Sequence, residues 1–147
     1  MRKLAAILLI VTLSFSCNIQ SGPGAKFIGH WVMAKDSPNR AELEASPSNK
    51  ELTELTFDIK KDGLFYIVDV HYPPNHDISK NFDEMHKKDG YVSEDFKINP
   101  LICQLSPDNS ALIPTNRLVR GDIGWGFVYN SDNKSIIFGH FGYYVKD

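Results

Sequence analysis

The dipeptide Asp62-Gly63 constrains this chain more than any other feature. It lies between two segments, 52–60 and 64–72, in which apolar and polar residues alternate. Alternation at period two puts successive side chains on opposite faces of a strand. Asp-Gly between two such segments is the signature of a two-residue type I′ hairpin, because both central positions take positive φ. That turn fixes a register in which Ile59 faces Tyr66, Phe57 faces Val68 and Leu55 faces Val70. All six are apolar and share one face. The other face pairs Asp58 with Ile67, Thr56 with Asp69 and Glu54 with His71, so it is the wetter one.

The rest of the chain follows the same grammar. Strands are expected at 27–34, 91–98, 101–105, 111–113, 118–119, 124–129, 135–139 and 141–146. Between them stand turn signals: Asn99-Pro100, Pro107-Asp108-Asn109, Gly121-Asp122 and Ser131-Asp132-Asn133. Residues 36–50 read as a loop with one helical turn at 41–45. Pro73-Pro74 stops the hairpin's second strand, and the period then changes. Ile78, Phe82 and Met85 recur at helical spacing, with Asp77 to cap the start and Gly90 to end it. A short amphipathic helix over 77–88 is therefore expected to lie on the sheet. Short strands at regular spacing predict an all-β domain over 26–147, an antiparallel meander of eight to ten strands closing into a small barrel with one short helix. Phe27-Ile28-Gly29-His30-Trp31 is echoed by Phe138-Gly139-His140-Phe141, and in a closed barrel the first and last strands are neighbours.

The N-terminus has a different character. Arg2 and Lys3 precede an uncharged apolar run, 4–13, interrupted only by Thr12, and Ser14-Phe15-Ser16 leads to Cys17. The run is too short to span a bilayer and fits a removable signal peptide over 1–16. The end of this leader resembles the lipobox of bacterial lipoproteins, with Ser16 and Cys17 in place, Leu13 one position early and Phe15 beside the small residue. The resemblance implies acyl chains on Cys17, each buried methylene contributing about 0.8 kcal/mol to anchoring. Ordinary signal peptidase acting after Ser14-x-Ser16 leaves the same Cys17 at the new terminus. Residues 17–25 then form a lipidated N-terminus and flexible tether. Asn18 follows the cysteine, which in a Gram-negative cell implies the outer membrane, facing the periplasm. The expected location is the cell envelope.

Loss of the leader takes the net charge from −2 to about −4, which argues against a nucleic-acid partner. Cys103 lies in an apolar stretch and reads as a buried, inert thiol. A Cys17–Cys103 bridge stays open only without acylation, and two cysteines build no zinc motif.

Gly29-His30-Trp31 resembles the Gly-x-Trp signature of lipocalins and related calycin barrels. The resemblance implies a barrel whose end is closed by Trp31, and an apolar cavity. In that family a late arginine packs over the tryptophan; here only Lys134 and Lys146 follow Arg120, and the family's C-terminal helix has no counterpart. Trp31, Tyr66, Trp125, Phe127 and Tyr143 are the candidate ligand contacts. Tyr129, Phe138, Phe141 and Tyr144 belong to the same aromatic-rich end, and strand alternation assigns about half of such residues to plain core.

Other chemistry is sparse. His71, His76 and His86, near Asp69, Asp77, Asp83 and Glu84, are metal-ligand types, but Pro73-Pro74 splits the first pair and no His-x3-His occurs. Ordinary surface histidines are the plainer reading. Asp58 and Asp69 approach diagonally on the hairpin's wet face, where solvation explains them better than acid–base work. There is no Gly-x-Ser-x-Gly elbow, and Arg120-Gly121-Asp122 reads as a turn. No catalytic residue and no cofactor are assigned. Three functions remain open: an anchored lipocalin-like barrel binding a small apolar ligand, an envelope protein-binding module such as an inhibitor or immunity protein, and a metal-assisted enzyme using the histidines.

Overall fold

The computed structural model describes residues 22–76, 99–116, 126–139 and 141–147. Eight strands form one closed antiparallel barrel in sequence order: β1 Gly29–Met33, β2 Thr56–Asp62, β3 Phe65–His71, β4 Leu101–Leu105, β5 Ala111–Pro114, β6 Phe127–Asn130, β7 Ser135–Phe138 and β8 Gly142–Lys146. Closure is between β8 and β1, where Trp31 pairs with Lys146 and Met33 with Tyr144. A closed barrel leaves no unpaired strand edge. One α-helix, α1 (Pro38–Ala45), follows β1, longer than the single turn read from the sequence. The helix expected over 77–88 and the strands expected at 91–98 and 118–119 lie outside the described residues.

The β2–β3 hairpin forms, with its register moved by two residues from the expected one. Ile59 pairs with Val68, Phe57 with Val70, Asp58 with Asp69 and Asp62 with Phe65. The turn is centred on Gly63-Leu64, and of these two only Gly63 has positive φ, 58°. That is the requirement of a type II′ turn, with glycine first, rather than type I′. An even shift preserves the parity of the faces. Leu55, Phe57, Ile59, Tyr66, Val68 and Val70 are accordingly all buried together.

The inward residues fill the barrel around Phe57. Its ring lies 6.4 Å from Trp31, 5.3 Å from Phe127, 5.6 Å from Phe138 and 4.9 Å from Tyr144. Phe127 and Phe138 stack at 4.6 Å. Such pairs add about 0.5–1.5 kcal/mol each beyond the area they bury.

The two ends of the barrel differ. At one end stand the tight turns, Gly63-Leu64, 106–110 and 131–134, together with the N-terminal entry and the C-terminus. At the other end β1, β3, β5 and β7 stop and β2, β4, β6 and β8 start; it is the long-connection end, because the strands there are separated in sequence by 34–55, 72–100 and 115–126. The tight-turn end is plugged by a 3-10 turn, Ala25–Phe27, which tucks Phe27 into the core. Trp31 Nε1 donates to the Phe27 carbonyl at 2.8 Å, so the buried indole is satisfied. Lys146 lies across the other side, its ammonium 5.4 Å from the indole centroid. Gly29, at φ 141°, leaves room for the Lys146 stem to cross.

At the long-connection end, the Asn99 side chain continues the ladder beside β3. It accepts from the Val70 N–H and donates to the Val70 carbonyl, both at 2.9 Å. Ser37, before α1, turns its buried hydroxyl toward β8 and accepts from the Tyr143 N–H at 3.1 Å. A Cβ at Gly142 would collide with that hydroxyl, which fixes glycine there.

Candidate functional site

The inward faces of β1, β3 and β6 carry Trp31, Tyr66 and Phe127 into the core, where each is buried. Tyr66 lies beneath the N-terminal plug, its phenol against Gly24. Tyr143 points outward and lines a shallow surface groove with Ala34, Pro38 and Val145. Trp125, Cys17 and His86 lie outside the described residues.

The inward partner of Tyr143 is its neighbour, Tyr144. It pairs with Met33 and Ile136, toward the long-connection end of the barrel. The residue is fully buried, and its hydroxyl meets no hydrogen-bond partner among the described residues. Tyr72, directly after β3, packs against the same core from that end. Burial first, and then the nearby Tyr72, push the Tyr144 phenol above its usual range. The group is therefore a protonated O–H donor throughout the physiological range. A buried donor without an acceptor costs about 1–3 kcal/mol. Within the barrel, this is where the chemistry of the lining calls for a partner: apolar rings below, a phenolic donor above.

Cys103, on the same inner surface, offers nothing comparable. Burial alone pushes its thiol up to about 12, so it stays an inert part of the packing.

A second cluster lies on the outside, across β1, β2 and β3. The register sets His30 beside Asp58. Asp58 Oδ1 is 3.0 Å from His30 Nδ1, and Oδ2 is 2.8 Å from His71 Nε2. The hydrogen bond from His71, partly opposed by burial and reinforced by His30, holds the Asp58 carboxyl below its ordinary value. Asp69 sits directly opposite Asp58, not diagonally. Both Asp58 oxygens are thus taken up by imidazoles, which leaves no free carboxylate to work in tandem with Asp69.

Of the three histidines read from the sequence as metal ligands, His86 lies outside the described residues, and His71 and His76 engage different carboxylates. His71 engages Asp58, while His76 lies 3.8 Å from Glu51, which also accepts from Asn75. Among the described residues, no group of three or more His, Cys, Asp or Glu is arranged to hold a metal ion. His30, absent from that trio, is the histidine that joins His71; finding it requires the pairing of three strands.

No known protein family, curated protein or solved structure matches this chain.

Proposed function

We propose that the protein is a cell-envelope lipoprotein, anchored through acyl chains on Cys17, whose lipocalin-like barrel binds a small, largely apolar ligand with one polar end. The observation that carries the reading is the Tyr144 hydroxyl, a buried donor with no acceptor among the described residues, set against the apolar ring of Phe57. The ligand's polar end lies at Tyr144 beside Tyr72, and its apolar part stays at the long-connection mouth of the barrel, above the packed rings of Phe57, Phe127 and Phe138. Lys146 over Trp31 supports the lipocalin-like reading, because a cation there takes the place of the family's arginine. The eight-strand meander and the 3-10 plug before β1 support it as well.

A second reading has one observation in its favour. On the outer face, Ile67 pairs with Ile102, and Ala111, Val128, Ile137 and Tyr143 form a continuous row across β5 to β8. Ile102 and Val128 are exposed, as suits a protein-binding module.

Native mass spectrometry of the mature protein, purified from its host's envelope, separates the two. A stoichiometric small molecule that Tyr144→Phe retains less well is the expected result. A co-purifying protein with no small molecule moves the second reading to the front, and a bare chain whose ligand content Tyr144→Phe leaves at zero overturns the ligand reading.

A further inference from the structure

The tip of the β2–β3 hairpin is unusual for a turn. Leu64 stands at its second central position, 87% exposed, and Phe65 beside it is also exposed. Two-residue hairpin turns favour small polar residues, so a solvent-facing leucine there has no role in the fold. On its β1 side the hairpin also runs past its neighbour. Pairing with β1 begins at Gly29–Ile59, whereas β2 and β3 continue together to Asp62–Phe65. Three further residues carry the tip about 10 Å beyond the start of β1.

Lysines stand at the same end of the barrel. Lys60 and Lys61 are exposed along β2. Lys26, Lys134 and Lys146 rim a groove of ≈ 390 Å³ at the same end, over Trp31 and Tyr129. Among the described residues none of these five forms a salt bridge with a carboxylate. Asp62, Asp108, Asp132 and Asp147 share the end, so its net charge is near balance. Asp108 is folded back onto Ser106 and Ser110. Lys26 and Lys146 hold their ammonium groups over the Tyr129 and Trp31 rings, at 4.8 and 5.4 Å from the centroids; the exposed Lys60, Lys61 and Lys134 are long enough to carry theirs outward, while an aspartate stays close to the backbone.

The chain's entry selects what covers this end. The plug begins at Gly22, at the tight-turn end, five residues after Cys17. Five residues span at most about 18 Å whatever their conformation. The seven-residue β3 alone rises about 20 Å. A barrel held at Cys17 therefore keeps the tight-turn end, where its chain enters, close to the bilayer.

We infer that the tight-turn end of the barrel docks on an anionic lipid bilayer, with Leu64 inserted at the headgroup boundary and the exposed Lys60, Lys61 and Lys134 against the phosphates. The inference rests on the anchor at Cys17 proposed above. Docking of this kind combines buried apolar area with attraction to anionic lipid, and each lysine near the surface raises partitioning about fivefold.

The test uses the acylated protein in vesicles of phosphatidylethanolamine and phosphatidylglycerol. With Cys17 acylated and Cys103 buried, Leu64→Cys is the reactive thiol and takes a polarity-sensitive fluorophore. Ser48→Cys, exposed in the connection at the far end, is the control. The expected result is a blue shift at position 64 and none at 48. Adding Lys60→Gln and Lys61→Gln lowers the docked fraction by about 25-fold relative to the undocked one. Unshifted emission at 64, or equal shifts at both sites, overturns the inference. Intact mass reads the anchor separately. If no acyl group is present the anchor fails, and the same probes on the free chain with Cys17→Ser then decide the docking by the same two outcomes.

Discussion

The two ends of this barrel treat their buried polar groups in opposite ways. At the tight-turn end the indole N–H of Trp31 has an acceptor in the Phe27 carbonyl, and Lys146 covers the ring from outside. Toward the long-connection end the Tyr144 hydroxyl is just as buried and has no acceptor among the described residues. Both residues are large aromatics with one polar atom, and both touch Phe57. On the proposed reading, the difference marks one end as closed structure and the other as the binding end. Stability should therefore concentrate at the first end and binding at the second.

Phe57 joins the two halves, so its loss should have the largest effect. Phe57→Ala is expected to destabilise the protein by about 3–5 kcal/mol, through lost burial and the cavity left among four rings. That is a large part of the total stability of a small domain. Urea denaturation measures it, and a loss under about 1 kcal/mol would mean that the rings around Phe57 do not form one core.

The next two substitutions test the ends against each other. Trp31→Phe removes an indole whose N–H is satisfied, leaving the Phe27 carbonyl without its donor; a loss of about 2–3 kcal/mol is expected. Tyr144→Phe removes a hydroxyl without a partner, and the ligand-free protein should gain about 1 kcal/mol. Denaturant midpoints of the two variants should move in opposite directions. If Tyr144→Phe destabilises the ligand-free protein as Trp31→Phe does, the hydroxyl has a structural partner and the contrast collapses. Loss of ligand retention together with a gain in stability is the combination that sets a binding role apart from a packing one.

The sequence carried the inward set of the hairpin correctly although it misplaced the turn. Period two decides which residues are buried, and a slip of two leaves that set intact. The turn itself was ambiguous because Gly63 serves equally as the second residue of Asp62-Gly63 or the first of Gly63-Leu64, and only strand pairing chooses. The aromatic site was harder. Tyr143 and Tyr144 are adjacent and chemically equal, so one must face in and the other out. The choice depends on Met33 pairing with Tyr144 where β8 closes onto β1, a contact between the two ends of the chain that local pattern does not encode. The same holds for His30 and His71, which are far apart in sequence and meet only because β1, β2 and β3 are neighbours. Tight turns, alternation and apolar runs are local and therefore legible; clusters assembled across strands depend on register.

The outer cluster gives the smallest effect and the one with a pH signature. The Asp58 carboxyl is held below its ordinary value in the folded chain, so the unfolded state binds protons more readily as pH falls. The stability it contributes is present above the unfolded value near pH 4 and is lost as pH falls through the lower folded value. Asp58 and both histidines are well exposed to solvent, which screens the interaction and limits it to a few tenths of a kcal/mol. Asp58→Asn should therefore lower the urea midpoint slightly at pH 7, and the difference should shrink as pH falls through the lowered folded value, below which the carboxyl of the wild type is protonated as well. A difference that persists unchanged at the acid end would show that the Asp58 side chain acts through its shape and neutral hydrogen bonding, not through its charge. In that case the three strands are held by packing beneath the sheet, and the histidines on its surface are free to serve a partner.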